Sequence, residues 1–420
     1  MPRSGAGISC LRIAITSNGP GEFAGWVRPL VAALLRLAPD TEITLFFVPD
    51  DFATGQESSV ARGLFPQVRV VAPREYVRFA VGRPLAGVPH SADVVQYCGG
   101  DLLHAARVRA RLHARGRSYK FAGKRWRRVF ECVYAVDEKN ANDLAKSGYP
   151  RDRVRVVGNL AIDGALAEAA GAFASADSAY ALPSGGILFM PGTRKHEIAN
   201  MVPFFLATAL HLREIAPQYP LSFAISPFTT RDEVARALAS GGNPNIWAAR
   251  GRVTAQADGG FALQADAGGA PFPVVRDAMR HAPQARLVVT LPGTKCIELA
   301  ALGVPAMVCV PLNAPEVVVV NGPLQYVDRI PLVGKLVKRQ VVIEVDRRFP
   351  LTAQPNIDAG EAIMPELRGT LMAGEVARLV AAYAADEAAL AAASKRLSEL
   401  YVAHAGAAER MARSLLREAL

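Results

Sequence analysis

Short apolar runs rich in Val, Ile and Phe alternate along this chain with segments whose apolar residues recur at helical spacing. This alternation is typical of parallel sheets covered by helices on both faces. It occurs twice, and the predicted strands lie at residues 11–17, 42–48, 67–72, 93–98, 118–121, 130–135 and 154–158, then at 186–190, 221–225, 286–290 and 306–310. We therefore predict two α/β domains, which the length of 420 residues readily accommodates.

The regions between and after the two alternating halves have a different composition. Residues 164–186 are rich in Ala, Gly and Ser, which predicts an interdomain linker, and residues 241–272 alternate in a way that predicts a hairpin insertion. From about Gly374 the chain is rich in Ala, Leu and Glu, which predicts one long helix or a helical pair that returns to the first domain. The predicted domains are residues 1–165, residues 185–368 and a helical tail at 369–420.

Charge and cysteine content narrow the function classes. The formal net charge of +10 favours anionic partners, such as nucleotide diphosphates or an anionic membrane face, but no zinc-finger spacing, ribonucleoprotein motif or long basic arm indicates nucleic-acid binding. The five cysteines are scattered without a Cys-x-x-Cys pair, so we expect reduced thiols and a cytoplasmic location without export. The long apolar stretch at 299–320 contains three prolines and predicts no membrane span.

The first candidate site has the sequence SNGPGEFAG at residues 17–25, where the first predicted strand turns into the first predicted helix. Gly19 and Gly21 would let the backbone approach a ligand, and the helix N-terminus would attract an anionic group. A purely structural turn needs glycine just as much, so both interpretations stay open. The glycine spacing is not that of the dinucleotide fingerprint.

Two further motifs lie at strand-to-helix turns in the second half. In PGTRKHEI, Arg194 could hold a diphosphate through its planar fork of donors while Gly192 and Thr193 offer the loop backbone. In PGTKCIELAALGVP, the turn at Gly293 and Thr294 suits a phosphate and Glu298 could accept hydrogen bonds from ribose hydroxyls. The alternative for the arginine is an ordinary solvated side chain.

Together these motifs resemble the lipid-A-disaccharide synthase family. PGTRKHEI and PGTKCIELAALGVP are similar to its two donor-site motifs, and QPNIDAGEAIMPEL at 354–367 is similar to its C-terminal segment, where Asn356 and Glu366 would complete the donor side. GPGEFAG matches at the front, so the matches follow the family's order across nearly the whole chain. The resemblance implies the GT-B architecture, in which two Rossmann-like domains face each other across a cleft.

The resemblance also implies a reaction. A lipid-linked sugar phosphate acceptor would attack the anomeric carbon of an acylated glucosamine carried by UDP, inverting its configuration without a metal or another cofactor. No Asp-x-Asp pair occurs in the sequence to bridge a metal to the diphosphate. Asp101 matches the family's catalytic aspartate, and Glu22 is the second candidate base. Since a helix is predicted after it, Asp101 could equally be a helix N-cap, and both roles are compatible.

This sequence departs from the family on the acceptor side. Trp26 stands where the family has aspartate, the basic segment FAGKRWRR at 121–128 replaces a tryptophan-rich one, and the apolar acyl-binding region is shortened to residues 76–88. Basic-aromatic patches at 120–128 and 335–339 could hold an anionic membrane surface, so we expect a protein peripheral to the inner face of the cytoplasmic membrane. A transferase with another lipid or cell-wall acceptor, a UDP-sugar epimerase and a non-catalytic binding protein remain alternatives, and a homodimer is left open.

Overall fold

The computed structural model describes residues 11–50, 53–173, 182–242, 248–256, 259–313 and 351–419. The predicted basic patch at 335–339 lies outside the described residues. The chain divides into two compact units: unit 1 takes in residues up to Gly164 together with Ala403–Leu420, and unit 2 takes in Ala165–Val402. The predicted domain limits at residues 165, 185 and 368 stay predictions.

Unit 1 contains a seven-stranded, fully parallel sheet with the order β3-β2-β1-β4-β5-β6-β7. The strands are β1 (Arg12–Ser17), β2 (Glu42–Phe47), β3 (Arg69–Val71), β4 (Val94–Tyr97), β5 (Arg115–Tyr119), β6 (Cys132–Ala135) and β7 (Val154–Val156). This order reverses direction between β1 and β4, as in a Rossmann-type sheet. Such a switch point is where open α/β sheets bind their ligands.

The helices of unit 1 cover both faces of its sheet. They are α1 (Pro20–Glu22), a π-helical turn (Phe23–Val27), α2 (Arg28–Leu37), α3 (Glu57–Leu64), α4 (Pro73–Ala80), α5 (Leu102–Arg111) and α6 (Glu138–Lys146), with 3₁₀ turns at Lys124–Trp126 and Arg151–Arg153. Phe46 on one face of the sheet packs against Phe79 of α4, whereas Phe47 on the other face packs against Phe23. Because successive strand side chains point to opposite faces, each strand needs apolar residues on both.

Unit 2 contains an eight-stranded sheet with the order β10-β11-β12-β9-β8-β13-β14-β15. The strands are β8 (Ile187–Phe189), β9 (Leu221–Ala224), β10 (Gly251–Ala255), β11 (Phe261–Ala265), β12 (Phe272–Val275), β13 (Leu287–Thr290), β14 (Ala306–Pro311) and β15 (Glu366–Gly369). Six of them are parallel in the same Rossmann-type order, and β10 and β11 form an antiparallel hairpin added at the edge through β12. The hairpin predicted at 241–272 is thus confirmed, and the switch point lies between β8 and β13.

The helices of unit 2 pack around a core that is rich in phenylalanine. They are α8 (Lys195–Ile215), α9 (Arg231–Ser240), α10 (Ala278–His281), α11 (Thr294–Ala301), α12 (Gln354–Ala359), α13 (Ala373–Ala385) and α14 (Glu387–Tyr401), with 3₁₀ turns at Ala282–Gln284 and Val402–His404. Phe189 of β8 stacks on Phe223 of β9 at 5.2 Å between ring centroids. The strands predicted in both halves are confirmed within two or three residues.

Two sequence predictions about helices are wrong in detail. The linker was expected to begin at residue 164, but α7 (Leu160–Ala169) continues past it, and Ala165 and Glu168 in that part of the helix are buried. The tail is neither one helix nor a pair but three helices, α13, α14 and α15 (Ala407–Ala419). The helical structure is interrupted at Asp386, which is the N-cap of α14, and at Gly406, whose φ of 81° favours glycine.

The last helix does return to the first domain, as predicted. α15 belongs to unit 1 and packs against α2, where Arg36 and Glu409 form an ion pair at 2.7 Å. No helix in the described part of the chain is long and apolar enough to cross a membrane.

Candidate functional site

The loops at the switch point of unit 1 are in close contact. Gly99 and Gly100 follow β4, and both have positive φ values, 138° and 86°. A Cβ atom added to Gly99 would lie 2.4 Å from Asn18 Oδ1 and 3.0 Å from Glu22 Cβ, and one on Gly100 would lie 2.5 Å from Val48 Cγ2. Only glycine leaves room for this contact, which brings the loop after β4 against the first predicted motif.

Glu22 lies in that first motif, one turn into the helical segment. Gly19 caps α1 in an extended conformation, and its carbonyl accepts from the Phe23 amide at 3.1 Å. A Cβ on Gly19 would lie 3.2 Å from Glu22 Oε2, whereas one on Gly21 would meet no atom within 4 Å. The sequence analysis expected these glycines to let the backbone approach a ligand. In the structure the group close to Gly19 is the Glu22 carboxylate.

Asp101 is a helix N-cap in this structure. Its side chain is exposed, and Oδ1 accepts from the Leu103 amide at 2.7 Å at the start of α5. Burial, and then the nearby carboxylates Glu22 and Asp101, raise the pKa of Tyr97, whose hydroxyl donates to the Gly100 carbonyl at 2.7 Å. The structure thus brings both predicted bases to the same edge of the sheet, and the base role itself stays a prediction.

Three further polar residues lie at this edge: Asn18 of the first motif, Asp50, which the sequence analysis missed, and His104, which was expected to be a surface residue near the cleft. Asn18 donates through Nδ2 to the carboxylate of Asp50, which follows β2. His104, in the first turn of α5, forms a hydrogen bond through Nδ1 with the Tyr76 hydroxyl at 2.8 Å, and burial lowers the pKa of the imidazole. Only its position just beyond the end of β2 could have drawn attention to Asp50.

In unit 2 the PGTRKHEI motif forms the turn from β8 into α8. Gly192 has a φ of 98°, and a Cβ there would lie 2.3 Å from Glu197 Oε2. The same Glu197 oxygen accepts from the Thr193 amide at 2.8 Å and the Arg194 amide at 3.0 Å, and Oε1 lies 3.3 Å from the Arg194 guanidinium. The Thr193 amide that was expected to meet the diphosphate therefore binds a carboxylate of the chain.

Glu197 was not identified from the sequence, although its position suits that of a capping carboxylate. It lies three residues after the N-cap of α8, which is the spacing of a capping box. Its buried charge satisfies the first amides of the helix, and Arg194 remains about one-third exposed with a side-chain relative accessibility of 33%. An incoming anion would meet the guanidinium rather than bare amides.

The PGTKCIEL motif forms the turn from β13 into α11, at the other side of the same switch point. Gly293 is the N-cap, with a φ of 156°, and a Cβ there would meet no atom within 4 Å. Because its N-cap residue is a glycine, that residue has no side chain to cap the helix that begins at Thr294. Among the described residues the turn has open space beside it, and the dipole of α11 favours an anion there.

Glu298 and Cys296 lie in the first turns of α11 with buried side chains. Lys295 Nζ lies 2.6 Å from Glu298 Oε2, so the carboxylate predicted to bind ribose is paired with a cation. Cys296 donates its thiol hydrogen to the Leu291 carbonyl at 3.4 Å, and burial raises its pKa to about 12. This thiol stays protonated and serves packing.

Asn356 and Glu366 form one buried network. Asn356 donates to the Met364 carbonyl at 2.7 Å and to Glu366 Oε1 at 2.9 Å, and its own carbonyl accepts from the Met364 amide at 2.9 Å. Glu366 also accepts from the amides of Thr352 at 2.9 Å and Ala353 at 3.0 Å. Burial raises the pKa of Glu366, but the hydrogen bonds that it accepts outweigh burial and the pKa is lowered.

The described residues contain no group of three or more His, Cys, Asp or Glu side chains placed to hold a metal ion.

The sequence matches no protein-family model and no curated protein. Solved structures do resemble this fold over almost its full length. A UDP-GlcNAc 2-epimerase from Neisseria meningitidis bound to UDP-GlcNAc is 12% identical, covering 97% of this chain and 100% of that chain with a TM-score of 0.54. An S. aureus MnaA-UDP co-structure is 12% identical, covering 96% and 94% with a TM-score of 0.53.

A third similar structure, the glycotransferase of kitacinnamycin, is 13% identical and covers 98% of this chain and 100% of that chain with a TM-score of 0.51. At these identities the likeness establishes the fold. The two Rossmann-type sheets, each with its motifs at the switch point, agree with the GT-B fold that the resemblance implied.

Proposed function

We propose that this protein is a GT-B enzyme that uses a UDP-sugar, and more specifically an inverting hexosyltransferase that moves an acylated glucosamine, or a related sugar, from UDP to a lipid-linked sugar phosphate. One observation carries the proposal. The two motifs that resemble the donor site of lipid-A-disaccharide synthases lie on both sides of the switch point in unit 2, at the ends of β8 and β13. That is where a Rossmann-type sheet binds a nucleotide.

The donor would bind to unit 2 through a cation and a helix N-terminus. Arg194 would pair with the diphosphate, and the uncapped start of α11 at Gly293 and Thr294 would donate amides to it. Glu298 would bind the ribose hydroxyls, for which it must exchange part of its pairing with Lys295. These contacts would stabilise the negative charge that develops on the leaving diphosphate.

Asn356 and Glu366 would act on the donor indirectly. Their side chains are already bonded to each other and to the backbone of residues 352–364. The network fixes the segment that leads into β15, next to β14. We therefore assign them a positioning role.

The acceptor would be activated on unit 1. Asp101, with Glu22 as the second candidate, would take the proton of the acceptor hydroxyl while its oxygen attacks the anomeric carbon. The bond from that carbon to the diphosphate oxygen breaks, and UDP leaves. The chemistry needs no metal or cofactor. A lipid-linked acceptor would require a protein in the cytoplasm that contacts the membrane peripherally.

The test is turnover of UDP-2,3-diacylglucosamine with its monosaccharide phosphate lipid in metal-free buffer, following both UDP and the disaccharide. Formation of both products supports the transferase. Consumption of the donor without acceptor, giving an epimeric UDP-sugar, supports the epimerase, which the likeness to UDP-GlcNAc 2-epimerases favours as second candidate. A third outcome is that neither reaction occurs but UDP protects the protein against unfolding, and Arg194→Gln abolishes that protection. This outcome would support the donor site and reject the proposed acceptor.

A further inference from the structure

Two aromatic side chains and a lysine form a compact cluster in unit 1. Trp26 belongs to the π-helical turn after α1, and Lys120 and Phe121 directly follow the last residue of β5. Lys120 Nζ lies 5.8 Å from the centre of the Trp26 ring and 5.6 Å from that of the Phe121 ring, and the two ring centroids are 6.3 Å apart. Trp26 is half-buried against Tyr119, whereas Phe121 is 44% exposed. We call Trp26, Lys120 and Phe121 the aromatic-lysine cluster.

The backbone that carries the lysine is strained and held in place. Lys120 has a φ of 66°, a left-handed conformation that residues with a side chain rarely adopt. The Phe121 amide donates to the Tyr119 carbonyl at 2.8 Å, which closes a three-residue turn around Lys120. The Lys120 amide donates to the Tyr134 carbonyl at 2.7 Å, and Asn140 Nδ2 donates to the Lys120 carbonyl at 3.2 Å. Strained residues that their surroundings fix in this way occur most often at functional sites.

The aromatic-lysine cluster lies at the carboxyl end of the sheet, which is the end that carries the two candidate bases. Asn140 belongs to the first turn of α6, just after β6, so its bond fixes Lys120 at that end. β5 is the neighbour of β4 in the sheet, so Lys120 follows the strand next to the one that leads to Asp101. Trp26 comes four residues after Glu22 in one continuous helical segment, a spacing that places two side chains on the same face. The π-helical turn that contains Trp26 is itself a rare conformation that recurs at functional sites.

The chemistry of the cluster and its neighbours suits a phosphorylated sugar. An ammonium group attracts a phosphate and donates hydrogen bonds to its oxygens. The faces of Trp26 and Phe121 can pack against the apolar C–H face of a pyranose ring. The carboxylates of Glu22 and Asp101 accept hydrogen bonds from hydroxyl groups. A free phosphate would not use the rings, and a neutral sugar would not use the charge of Lys120, so a sugar phosphate fits all three kinds of contact.

We propose that the aromatic-lysine cluster binds the sugar phosphate part of the acceptor, with the phosphate at Lys120 Nζ and the pyranose ring against Trp26 and Phe121. The inference rests on the proposed function and deepens it, because it gives the acceptor a binding site on unit 1. The cluster would hold the sugar with its hydroxyl groups towards Glu22 and Asp101. It would also determine specificity, since a sugar without the phosphate loses the contact with Lys120.

The experiment is a ligand-observed NMR titration of the full chain, without any donor, with N-acetylglucosamine 1-phosphate, N-acetylglucosamine and inorganic phosphate. Lys120→Gln should weaken binding of N-acetylglucosamine 1-phosphate by about 10- to 100-fold and leave binding of N-acetylglucosamine unchanged. Trp26→Leu should weaken binding of both sugars by the same factor, about 2- to 10-fold. The matched control is Lys139→Gln, which removes an exposed cation from the first turn of α6 at the same end of the sheet and should change none of the affinities.

Three results would overturn the proposal. Equal losses in Lys120→Gln and Lys139→Gln would mean that only the overall charge matters. Inorganic phosphate that binds as tightly as the sugar phosphate would mean a site for an anion alone. Binding that Arg194→Gln abolishes and Lys120→Gln leaves unchanged would place the probe at the donor site of unit 2.

Tryptophan fluorescence gives an independent readout that does not depend on the fold of Trp26→Leu. The chain has three tryptophans, Trp26, Trp126 and Trp247. Trp26→Phe keeps an aromatic face, so it should still bind N-acetylglucosamine 1-phosphate in the NMR titration. The change in tryptophan emission that the probe causes in the wild type should disappear in this variant. An emission change that persists unaltered in Trp26→Phe would contradict the proposal.

The failure of this inference can be separated from failure of the proposed function. Binding of N-acetylglucosamine 1-phosphate that depends on Lys120 and Trp26, without any disaccharide product in the turnover assay, would support the site and reject the transferase. Disaccharide formation with the same KM for the acceptor in Lys120→Gln and in the wild type would support the transferase and reject the site.

Discussion

Replacing Asn356 by alanine should open the segment before β15. The side chain is fully buried and satisfies both the amide and the carbonyl of Met364, at 2.9 and 2.7 Å. Each buried backbone group left without a partner costs about 1–3 kcal/mol, so the two together should lower the free energy of unfolding by about 2–6 kcal/mol. Glu366 loses only one of several donors, so its contribution to the loss is smaller.

Hydrogen exchange followed by mass spectrometry measures this locally, which avoids the multi-state unfolding expected of a two-domain chain. Peptides that contain the Met364 amide should exchange about 30- to 20,000-fold faster in Asn356→Ala, at about 1.4 kcal/mol per factor of ten. Gln354→Ala on the same helix is the control, since it removes only an exposed hydrogen bond to Asp358 and should change exchange little. An increase of less than threefold in Asn356→Ala would refute the assigned network.

The Asn356→Asp variant tests the same network through pH. At neutral pH the introduced carboxylate would face both the Met364 carbonyl and the Glu366 carboxylate, and neither can donate to it. Burial and the neighbouring charge would raise the pKa of the introduced group, so it should regain a proton, and with it a donor, as the pH falls. Glu366 has a lowered pKa, so the wild type loses stability as the pH falls below about 4.5. The stability difference between variant and wild type should therefore shrink on acidification, and a difference that is constant between pH 8 and 5 would contradict this.

Three further outcomes are expected. Asp101→Asn should leave the free energy of unfolding within about 0.5 kcal/mol of wild type, because asparagine caps helices equally well. The same variant should lower turnover by about 10²- to 10⁴-fold, and unchanged turnover would exclude Asp101 as the base. Gly99→Ala should destabilise unit 1 by about 2–4 kcal/mol in urea unfolding, because the new Cβ would lie 2.4 Å from Asn18 Oδ1, whereas Gly55→Ala, also at positive φ but with no atom within 4 Å, should show the backbone strain alone. Burial and the neighbouring Arg280 lower the pKa of His281, so on acidification this histidine binds a proton in the unfolded chain before it does so in the folded one. The free energy of unfolding should therefore fall as the pH drops below about 6.5, and it should fall less steeply in His281→Gln.

Much of the fold could be predicted from the sequence because the sheets are parallel and buried. A strand such as β2 is buried on both faces, and its nearly continuous apolar run, Ile-Thr-Leu-Phe-Phe, differs from the periodic pattern of α2. The motifs could be placed as well, because glycines at strand ends mark turns that need positive φ or close contact, as at Gly99 and Gly192. The strand order, which fixes the two switch points, is seen only in the folded chain.

The partners of the charged side chains could not be predicted in this way. Glu197 binds the amides that were assigned to the diphosphate, and Lys295 pairs with the carboxylate assigned to the ribose. Both pairings lie within one turn of helix, so the sequence permits them, but it also permits the same side chains to face a ligand. Asn356 and Glu366 differ from these, since their contacts join the start of α12 to β15 across a loop, and only the folded chain shows that they are occupied.

Asp101 can be both a helix cap and a base in this fold. An aspartate after a strand and before a helix suits a cap and suits a base, because the carboxyl end of the sheet is also the N-terminal end of the next helix. Capping uses only Oδ1, through the Leu103 amide, and no other described residue forms a hydrogen bond with Oδ2. The cap therefore fixes the rotamer of the carboxylate and leaves one oxygen for a proton from an acceptor. In Asp101→Asn the cap would retain its oxygen while a donor NH₂ would take the place of Oδ2, which is why stability and turnover should separate in that variant.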